Sequence, residues 1–253
     1  MNTTTTTPSV EPLPQQLAYL KLPFMQEHHA PLAREAAQAH WDHVAYLARL
    51  AAGEAALRRE RSVQRRIHQA RFPVLKTLEQ FQWSWPKSIN RLQVQYLFRL
   101  QFVAEKHNVI LLGTVGLGKT HLATALGYAA CLAGYSVRFA TAVEVINTLA
   151  AAQRGGRLKQ ALDSYRKPAL LILDELGYLP IDKTGADLLF QIISLRYEHG
   201  ATVITSNRVF KHWAEIFNND ATLTSALLDR LLHHAETIVI EGQSYRMKDR
   251  IES

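Results

Sequence analysis

Apolar residues recur at helical spacing through the first quarter of the chain. Residues 15–71 are rich in Ala, Leu, Gln, Arg and Glu and contain only two prolines and one glycine. Apolar positions three and four residues apart, as at Trp41, Val44 and Ala45, are typical of a helix with one buried face. The pattern predicts two or three helices in a small N-terminal helical domain over residues 15–72, preceded by a flexible Thr/Pro-rich tail over residues 1–14.

A second segment begins at Pro73 and carries aromatic residues in a loop. The stretch FQWSWPKSIN, residues 81–90, contains no regular spacing and is predicted to be a loop. Ser88 is of the residue type that caps helix N-termini, so we expect a helix over roughly residues 89–106.

From residue 109 onward, short apolar runs alternate with helical patterns. A continuous apolar run such as ALLILD is expected when both faces of a sheet are covered. Five such strands separated by helices predict an α/β fold, with a five-stranded parallel sheet between helix layers, in a domain over residues 73–250. The predicted strands are 109–113, 136–140, 169–174, 201–206 and 237–241, and the predicted helices are 119–133, 141–165 (interrupted at 154–157), 184–199, 211–218 and 222–233.

Composition narrows the class of protein. The chain has 253 residues, of which 47% are hydrophobic and 20% charged, which argues against extensive disorder. A single cysteine, Cys131, excludes an internal disulfide framework and fits a reducing compartment. No signal peptide is recognisable, and no apolar run approaches the length that spans a membrane, so we expect a cytoplasmic protein with no membrane partner.

The positive charge is concentrated in the N-terminal part. The formal net charge is +7, and residues 1–108 account for +6 of it. Residues 58–71 contain six arginines and one glutamate. A basic stripe of this kind suggests a polyanionic partner such as DNA, with Arg58, Arg65 and Arg66 as candidate contacts. A charged helix face that pairs with another subunit explains the run about equally well.

The sequence GTVGLGKT matches the phosphate-binding pattern G-x-x-x-x-G-K-[ST] in full. Its glycines let successive backbone N–H groups face the phosphates of a nucleotide, and the helix that follows adds its positive N-terminal end. Lys119 is expected to reach the β- and γ-phosphates, and the hydroxyl of Thr120 is expected to bind Mg²⁺. The predicted nucleotide-binding residues are Gly113, Thr114, Val115, Gly116, Leu117, Gly118, Lys119, Thr120 and His121.

A pair of acidic residues ends the predicted strand LLILDE. Asp174 is placed to hold Mg²⁺ together with Thr120, and Glu175 is placed to orient and deprotonate an attacking water. A solvated strand end is the alternative interpretation. The presence of both carboxylates favours hydrolysis over phosphate transfer to a small acceptor.

Three further polar residues are candidates for catalysis. Asn207 follows strand 201–206 and can position the water if that strand lies between the strands of the phosphate loop and Asp174; otherwise it is a turn residue. Arg230, on an amphipathic helix, is either a surface residue or a finger inserted into a neighbouring subunit's site. Arg246, after the last strand, either contacts the γ-phosphate or belongs to a basic tail.

Taken in order, these residues resemble the AAA+ ATPases, specifically the initiator clade. Within that clade, the chain resembles the IstB-type helper ATPases of insertion sequences, with the DnaC-type helicase loaders as close relatives. The resemblance is carried by GTVGLGKTHLATALG (113–127), LLILDELGYLP (170–180), VITSN (203–207), LLDRLLHHAE (227–236) and GQSYR (242–246). It runs from about residue 75 to residue 250 and, more loosely, through the N-terminal helices.

The resemblance implies an AAA+ P-loop NTPase core that uses ATP and Mg²⁺. It also implies a homo-oligomer with ATP at its subunit interfaces, which binds double-stranded DNA and cooperates with a transposase. In such families the helix pair after the second strand lines a DNA path, which makes Arg154, Arg157 and Lys159 candidate DNA contacts; a solvated loop is the alternative. Two other functions stay open, a replicative helicase loader and an architectural DNA-binding protein with ATP only as a ligand.

Two other clusters have competing interpretations. Phe81, Trp83 and Trp85 either seal the junction between the helical bundle and the core, or provide one ring that packs on adenine. The histidine pairs His40/His43 and His233/His234, the latter with Glu236 nearby, lack a cysteine or further carboxylates. For this reason no metal other than Mg²⁺ is predicted.

Overall fold

The computed structural model describes residues 12–247 and divides into two compact units between Gln64 and Arg65. The domain boundary expected from the sequence, after residue 72, lies eight residues further along the chain than this division. Most of the predicted flexible tail, residues 1–11, lies outside the described residues. Its last two residues, Leu13 and Pro14, begin a helix, so the tail prediction is wrong for these two. Pro14 fits in the first turn because the N–H groups there have no partner within the helix.

Three helices follow one another in the N-terminal part, namely α1 (Leu13–Tyr19), α2 (Pro23–Gln38) and α3 (His43–Ala70). Helices α2 and α3 approach closely at Gly53, where a Cβ would lie 2.0 Å from the ring of Phe24. The buried carboxylate of Glu54 accepts a hydrogen bond from the backbone N–H of Phe24 at 2.9 Å. It thereby satisfies an N–H group at the start of α2 that has no partner within the helix.

The region before the sheet contains two short helices, α4 (Arg91–Leu97) and α5 (Gln101–Ala104), rather than one helix over residues 89–106. Leu100 adopts a left-handed conformation (φ 59°) that breaks the run. The predicted cap at Ser88 is also wrong, because the side chain of Asn90 accepts the capping hydrogen bond from the N–H of Gln93 at 3.1 Å. The backbone of Ser88 pairs instead with Glu241 in an antiparallel bridge.

The remaining chain forms the expected parallel sheet. Its order is β2-β3-β4-β1-β5, so β4 lies between β3 and β1, as the hypothesis for Asn207 requires. The α/β fold class, with a five-stranded parallel sheet and flanking helices, is confirmed. The strands are β1 (Asn108–Leu112), β2 (Val137–Thr141), β3 (Leu170–Leu176), β4 (Ala201–Ser206) and β5 (Ala235–Val239), and the helices are α6 (Lys119–Leu132), α7 (Ala142–Arg154), α8 (Leu158–Arg166), α9 (Lys183–Arg196), α10 (Trp213–Ile216) and α11 (Ala221–Leu232), with 3₁₀ turns at Phe210–His212 and Tyr245–Met247.

Strand β5 begins and ends two residues before the predicted strand 237–241. It pairs with β1 from Asn108 opposite Ala235 to Leu112 opposite Val239. Glu241, the last residue of the prediction, leaves this ladder for its bridge to Ser88. The apolar run TIVI therefore begins inside the paired strand and extends one residue beyond it, to the buried Ile240, whose N–H donates to the carbonyl of Leu112 at 2.8 Å.

Side chains of the strands point alternately to two hydrophobic clusters, one on each face of the sheet. In β1, Val109 and Leu111 join the cluster that contains α6, whereas Ile110 and Leu112 join the cluster with α7, α9 and α11. All four are almost fully buried. Coverage of both faces accounts for the continuous apolar runs of the strands. Among the described residues no helix combines the length and the apolar character needed to cross a bilayer.

Candidate functional site

Two glycines of the loop between β1 and α6 lie where an added side chain would collide with neighbouring side chains. Gly116 has φ +79°, and a Cβ there would lie 2.1 Å from the hydroxyl of Ser244. Gly118 has φ +85°, immediately precedes α6 and would meet the ring of Phe81 at 2.7 Å. The positive φ angles turn the loop so that it leads directly into the N-terminus of α6, which is the geometry of an anion-binding site.

Lys119 is the first residue of α6, and its side chain is almost completely buried. Its Nζ donates hydrogen bonds of 2.7 Å to the carbonyls of Gly113 and Thr114. Burial lowers the pKa of the ammonium group, and the nearby Asp174 and Glu175 carboxylates oppose that shift. The loop thus holds a cation against its own backbone, where phosphate oxygens are the natural replacement for the carbonyls.

Asp174 lies near the end of β3 and is also buried. Its Oδ1 accepts a hydrogen bond from Thr120 Oγ1 at 3.1 Å and a short one from Thr205 Oγ1 on β4. Burial raises the pKa of the Asp174 carboxyl, and the two hydroxyls oppose this effect. The neighbouring oxygens of Thr120 and Asp174 are hard ligands of the type that Mg²⁺ prefers, so these residues fit the predicted metal.

Glu175 has an unusual backbone for a strand residue. Its φ is +60°, and the pairing of β3 with β4 shifts register between Leu173 and Leu176. The N–H of Glu175 donates to Thr205 Oγ1 at 2.9 Å. This bulge directs the Glu175 side chain to the surface of a cleft of about 510 Å³, beside Lys119 and Thr120.

The structure brings some of the other predicted residues to this cleft and leaves others away from it. Arg246 lines the cleft. Asn207 follows β4 directly, and its Oδ1 is buried with no hydrogen-bond partner among residues 12–247. Arg230 is not among the lining residues, because its guanidinium lies 4.9 Å from the ring centroid of Phe190 and donates to the carbonyl of Ala226 on its own helix at 2.9 Å.

An aromatic pair braces the segment that crosses the phosphate loop. The N–H of Tyr245 donates to the carbonyl of Gly116 at 3.0 Å. Trp85 packs edge-on against the ring of Tyr245 and donates from Nε1 to the carbonyl of Gln243 at 2.9 Å. The sequence gives no sign of this role of Trp85, since residues 85 and 245 are far apart in the chain. Phe81 and Trp85 both line the cleft, whereas Trp83 packs against the core and under Arg91.

A sequence model of the IstB-like ATP binding proteins matches residues 15–253. The chain belongs to this family. An IstB-like relative in insertion sequence IS21 of Pseudomonas aeruginosa, named for ATP binding, is 41% identical over 92% of this chain and 88% of its own length. Another, in insertion sequence IS5376 of Geobacillus stearothermophilus and also named for ATP binding, is 38% identical over 91% of this chain and 92% of its own length.

Solved structures with the same fold include proteins of replication. The DnaI structure has a TM-score of 0.55 at 22% identity and covers 70% of this IstB-like chain and 92% of its own. The DnaC helicase loader has a TM-score of 0.53 at 22% identity, with coverage of 65% and 96%. DnaA bound to AMPPCP and single-stranded DNA has a TM-score of 0.54 at 23% identity, with coverage of 70% and 54%. These likenesses show that the IstB-like chain shares the α/β fold of these structures.

The candidate DNA contacts differ in how exposed their side chains are and in which contacts those side chains make within the protein. Arg154 ends α7, Arg157 precedes α8 and Lys159 lies in its first turn, and all three are exposed around Gly156, whose φ is +67°. In the N-terminal unit, Arg58 pairs with Glu54 at 3.2 Å and donates to the carbonyl of Lys21.

The arginines of the same run that belong to the second unit also differ from each other. Arg65 is exposed. Arg66 is half-buried and donates from Nε to the carbonyl of Cys131 at 2.9 Å, which gives it a structural role in this IstB-like fold. Cys131 itself is buried, and burial raises the pKa of its thiol to about 11.

Proposed function

We propose that this IstB-like protein is a DNA-binding helper ATPase of transposition that assembles on duplex DNA and recruits or activates a transposase. The observation that carries the proposal is the junction of β3 and β4, where Asp174 is held against Thr120 while the bulge turns Glu175 into the cleft. A buried carboxylate for the metal beside a second, accessible carboxylate for the water is an arrangement suited to hydrolysis.

Each predicted residue has a distinct role in this proposal. Thr120 and Asp174 would hold Mg²⁺, which supplies charge neutralisation at the phosphates when it is bound. Lys119 binds phosphate oxygens after exchanging its bonds to the loop carbonyls. Glu175 accepts the proton of the attacking water. Asn207 positions that water with its amide, whose buried oxygen has no other partner within the described residues.

Arg246 and Arg230 would serve the nucleotide sites of different subunits. Arg246 lines the cleft of its own chain and supports a contact to the γ-phosphate from the same subunit. Arg230 faces Phe190 outside that cleft, which supports a role in the site of a neighbouring subunit. ATP would therefore bind at the interface of a homo-oligomer, and assembly would depend on nucleotide.

The exposed cations at Arg154, Arg157 and Lys159 support contacts to the DNA backbone on a flexible corner. We expect little base readout, since these side chains flank a glycine turn and lie on no element that resembles a recognition helix. The proposal that the partner is a transposase is supported by the relatives, whose names place them in insertion sequences. A role on DNA agrees with the cytoplasmic location expected from the sequence.

The decisive experiment measures ATP binding and ATP hydrolysis separately, with and without duplex DNA. We expect Mg²⁺-dependent hydrolysis that DNA stimulates, and we expect Glu175→Gln to keep ATP affinity while losing about 10²-fold or more in turnover. Glu27→Gln, which changes an exposed glutamate of α2, is the matched control and keeps full turnover. A wild-type protein that binds DNA with ATP but never hydrolyses it would establish the architectural function instead.

The partner is tested by capture. The purified protein, loaded with ATP and duplex DNA, is presented with a transposase encoded beside its own gene and with the replicative helicase of the same cell. Retention of the transposase alone is expected. Retention of the helicase alone would identify a helicase loader.

A further inference from the structure

A cluster of histidines lies at the end of the sheet opposite the phosphate loop. The phosphate loop follows the carboxyl end of β1, whereas His107 immediately precedes the amino end of the same strand. His233 and His234 lie between the end of α11 and the start of β5, a strand that pairs with β1. Glu198 comes from the turn between α9 and β4.

Glu198, His233 and His234 converge in space. One ligand atom from each, a carboxylate oxygen and two ring nitrogens, lies within 4.8 Å of the other two, and all three side chains are exposed. Glu198 is 35 residues before His233 in the chain, so nothing in the local sequence links it to the histidine pair, whereas Glu236 is close in the chain. The fold therefore brings a second carboxylate, distant in sequence, to the histidine pair.

The backbone fixes the position of Glu198. Its φ is +58°, in the left-handed region, and the two residues that follow it both donate backbone hydrogen bonds to the carbonyl of Arg196, at 2.9 Å from His199 and 3.0 Å from Gly200. This turn is short and closed, so the carboxylate is presented from a defined place.

The two imidazoles are oriented by neighbouring groups. His233 Nδ1 lies 2.8 Å from the hydroxyl of Tyr197, and in the tautomer protonated at Nδ1 it donates to that oxygen and leaves Nε2 free as a ligand. The ring of His234 stacks on His107, with centroids 4.9 Å apart and planes 15° apart. The N–H of Asn108 also donates to the carbonyl of His234 at 2.8 Å. The bond between His233 Nδ1 and Tyr197 is of the kind that holds metal-binding imidazoles in place, where one ring nitrogen binds the metal and the other makes a hydrogen bond.

We propose that Glu198, His233 and His234 form a binding site for a divalent transition metal of the Zn²⁺ type. Two imidazole nitrogens and one carboxylate oxygen are ligands that Zn²⁺ and its neighbours accept, with water completing the shell, whereas Mg²⁺ prefers oxygen ligands alone. The site lies at the C-terminal end of α11, where the helix dipole favours a cation. The bound metal ties the end of α11 to the turn that follows α9.

The experiment is a metal titration of the full-length protein without nucleotide and with any polyhistidine tag removed. Zn²⁺ binding is measured by calorimetry, and Co²⁺ is used as a spectroscopic substitute whose absorption reports nitrogen and oxygen ligands. We expect one equivalent of Zn²⁺ per chain in the presence of millimolar Mg²⁺. Glu198→Gln and His234→Ala should each weaken binding by at least about tenfold, since loss of even an outer-shell partner costs that much.

The matched control is His68→Ala, which removes an exposed imidazole on α3 outside the cluster and should leave the affinity unchanged. Circular dichroism of each metal-free variant checks that the fold is intact. Equal Zn²⁺ affinity in wild type, Glu198→Gln and His234→Ala would overturn the proposal, as would the absence of any stoichiometric site in wild type. Because no ATP is present, neither result depends on the proposed ATPase function.

Discussion

The hydroxyl of Thr205 on β4 donates a hydrogen bond to Asp174 on β3. The same hydroxyl oxygen accepts the backbone N–H of Glu175 at 2.9 Å. One threonine of the neighbouring strand therefore orients the carboxylate that would hold the metal and fixes the bulge that directs the carboxylate for the water. The spacing between the two acidic groups depends on a strand that comes 30 residues later in the chain.

Replacement of this threonine tests its positioning role. Thr205→Val keeps the shape but removes the hydroxyl, so Asp174 and the N–H of Glu175 both lose a buried partner. We expect about 1–3 kcal/mol lower free energy of unfolding and a fall in ATP turnover of roughly tenfold or more. Thr205→Ser retains the hydroxyl and should restore most of the turnover. Full turnover in the valine variant, measured at saturating ATP, would show that the bridge is dispensable.

The raised pKa of Asp174 predicts that this residue costs stability at neutral pH. Burial is the main cause of the shift, so the folded state favours the protonated acid. The contribution of such a group is favourable below its ordinary pKa of 3.8 and is lost as the pH rises through the raised value. Asp174→Asn should therefore abolish hydrolysis but raise the free energy of unfolding at pH 7, and the gain should disappear as the pH falls toward 4.

Asp163 provides a control of opposite sign. Its hydrogen bond to Arg166 lowers the pKa of the Asp163 carboxyl, so its contribution is present above the ordinary value and is lost as the pH falls. Asp163→Asn should lower stability at pH 7 because it removes the bond to Arg166, and the change should be small because solvent screens this exposed pair. Urea unfolding of both variants between pH 4 and pH 8 measures the two trends. Parallel trends would contradict the assignment of burial as the cause at Asp174.

Much of the fold could be predicted because it depends on local patterns. Short, mostly apolar runs predicted all five strands, and the glycine spacing at residues 113–120 predicted the phosphate loop. The break between α7 and α8 lies at the predicted Gly-Gly pair. These features need only their own segment of sequence to be recognised.

The features that escaped prediction depend on partners distant in the chain. Ser88 has the residue type of a cap, yet its backbone is engaged by Glu241, and Asn90 caps α4 instead. The VITSN motif contains Thr205, but nothing in the motif shows that its hydroxyl reaches Asp174. Likewise, the pair His233 and His234 acquires a carboxylate only when the fold brings Glu198 beside it.

A subunit-mixing experiment tests whether Arg230 acts in a neighbouring site. Arg230→Ala should bind ATP normally and lose about 10³-fold in turnover, while its stability falls by no more than about 1 kcal/mol from the lost contact with Phe190. Mixed in equal amounts with Glu175→Gln, the two inactive proteins should regain activity. About a quarter of the interfaces in a randomly mixed oligomer join an intact Glu175 to an intact Arg230. A mixture that stays inactive, although mixed oligomers form, would place Arg230 in its own subunit's site.

The salt dependence of DNA binding tests the corner between α7 and α8. If about six cations contact phosphates, log K should fall with log salt at a slope near −5. Replacing Arg154, Arg157 and Lys159 together with alanine should bring the slope to about −2.5, since each contact contributes about 0.9. Arg34→Ala, an exposed cation of α2 outside the predicted contacts, should leave the slope unchanged. An unaltered slope in the triple variant would remove this corner from the DNA path.

Arg196 at the end of α9 links the helix pair α7–α8 to the sheet. It is buried, and the part of the chain that the structure describes offers it no carboxylate partner. Its guanidinium donates to the hydroxyl of Thr202 and to carbonyls at the end of α8, before β3 and at the start of β4, namely those of Tyr165, Arg166, Pro168, Ala169 and Ala201. Burial lowers the pKa of Arg196 to about 10, so the side chain is still charged at neutral pH. The planar group therefore substitutes for the water that these carbonyls lost on folding.

Removal of this guanidinium should destabilise the second unit strongly. Arg196→Met fills similar space but leaves several buried carbonyls without a donor, and we expect a loss on the order of 4 kcal/mol in the free energy of unfolding. Arg196→Lys keeps a charge but offers three donors from one nitrogen, so it should recover only part of the loss. Urea denaturation measures both, and Arg166→Ala, an exposed arginine of the same region, is the control with a change below about 1 kcal/mol. If Arg196→Met were as stable as the wild type, the carbonyls would have found other donors, and the link between α8 and the sheet would not depend on Arg196.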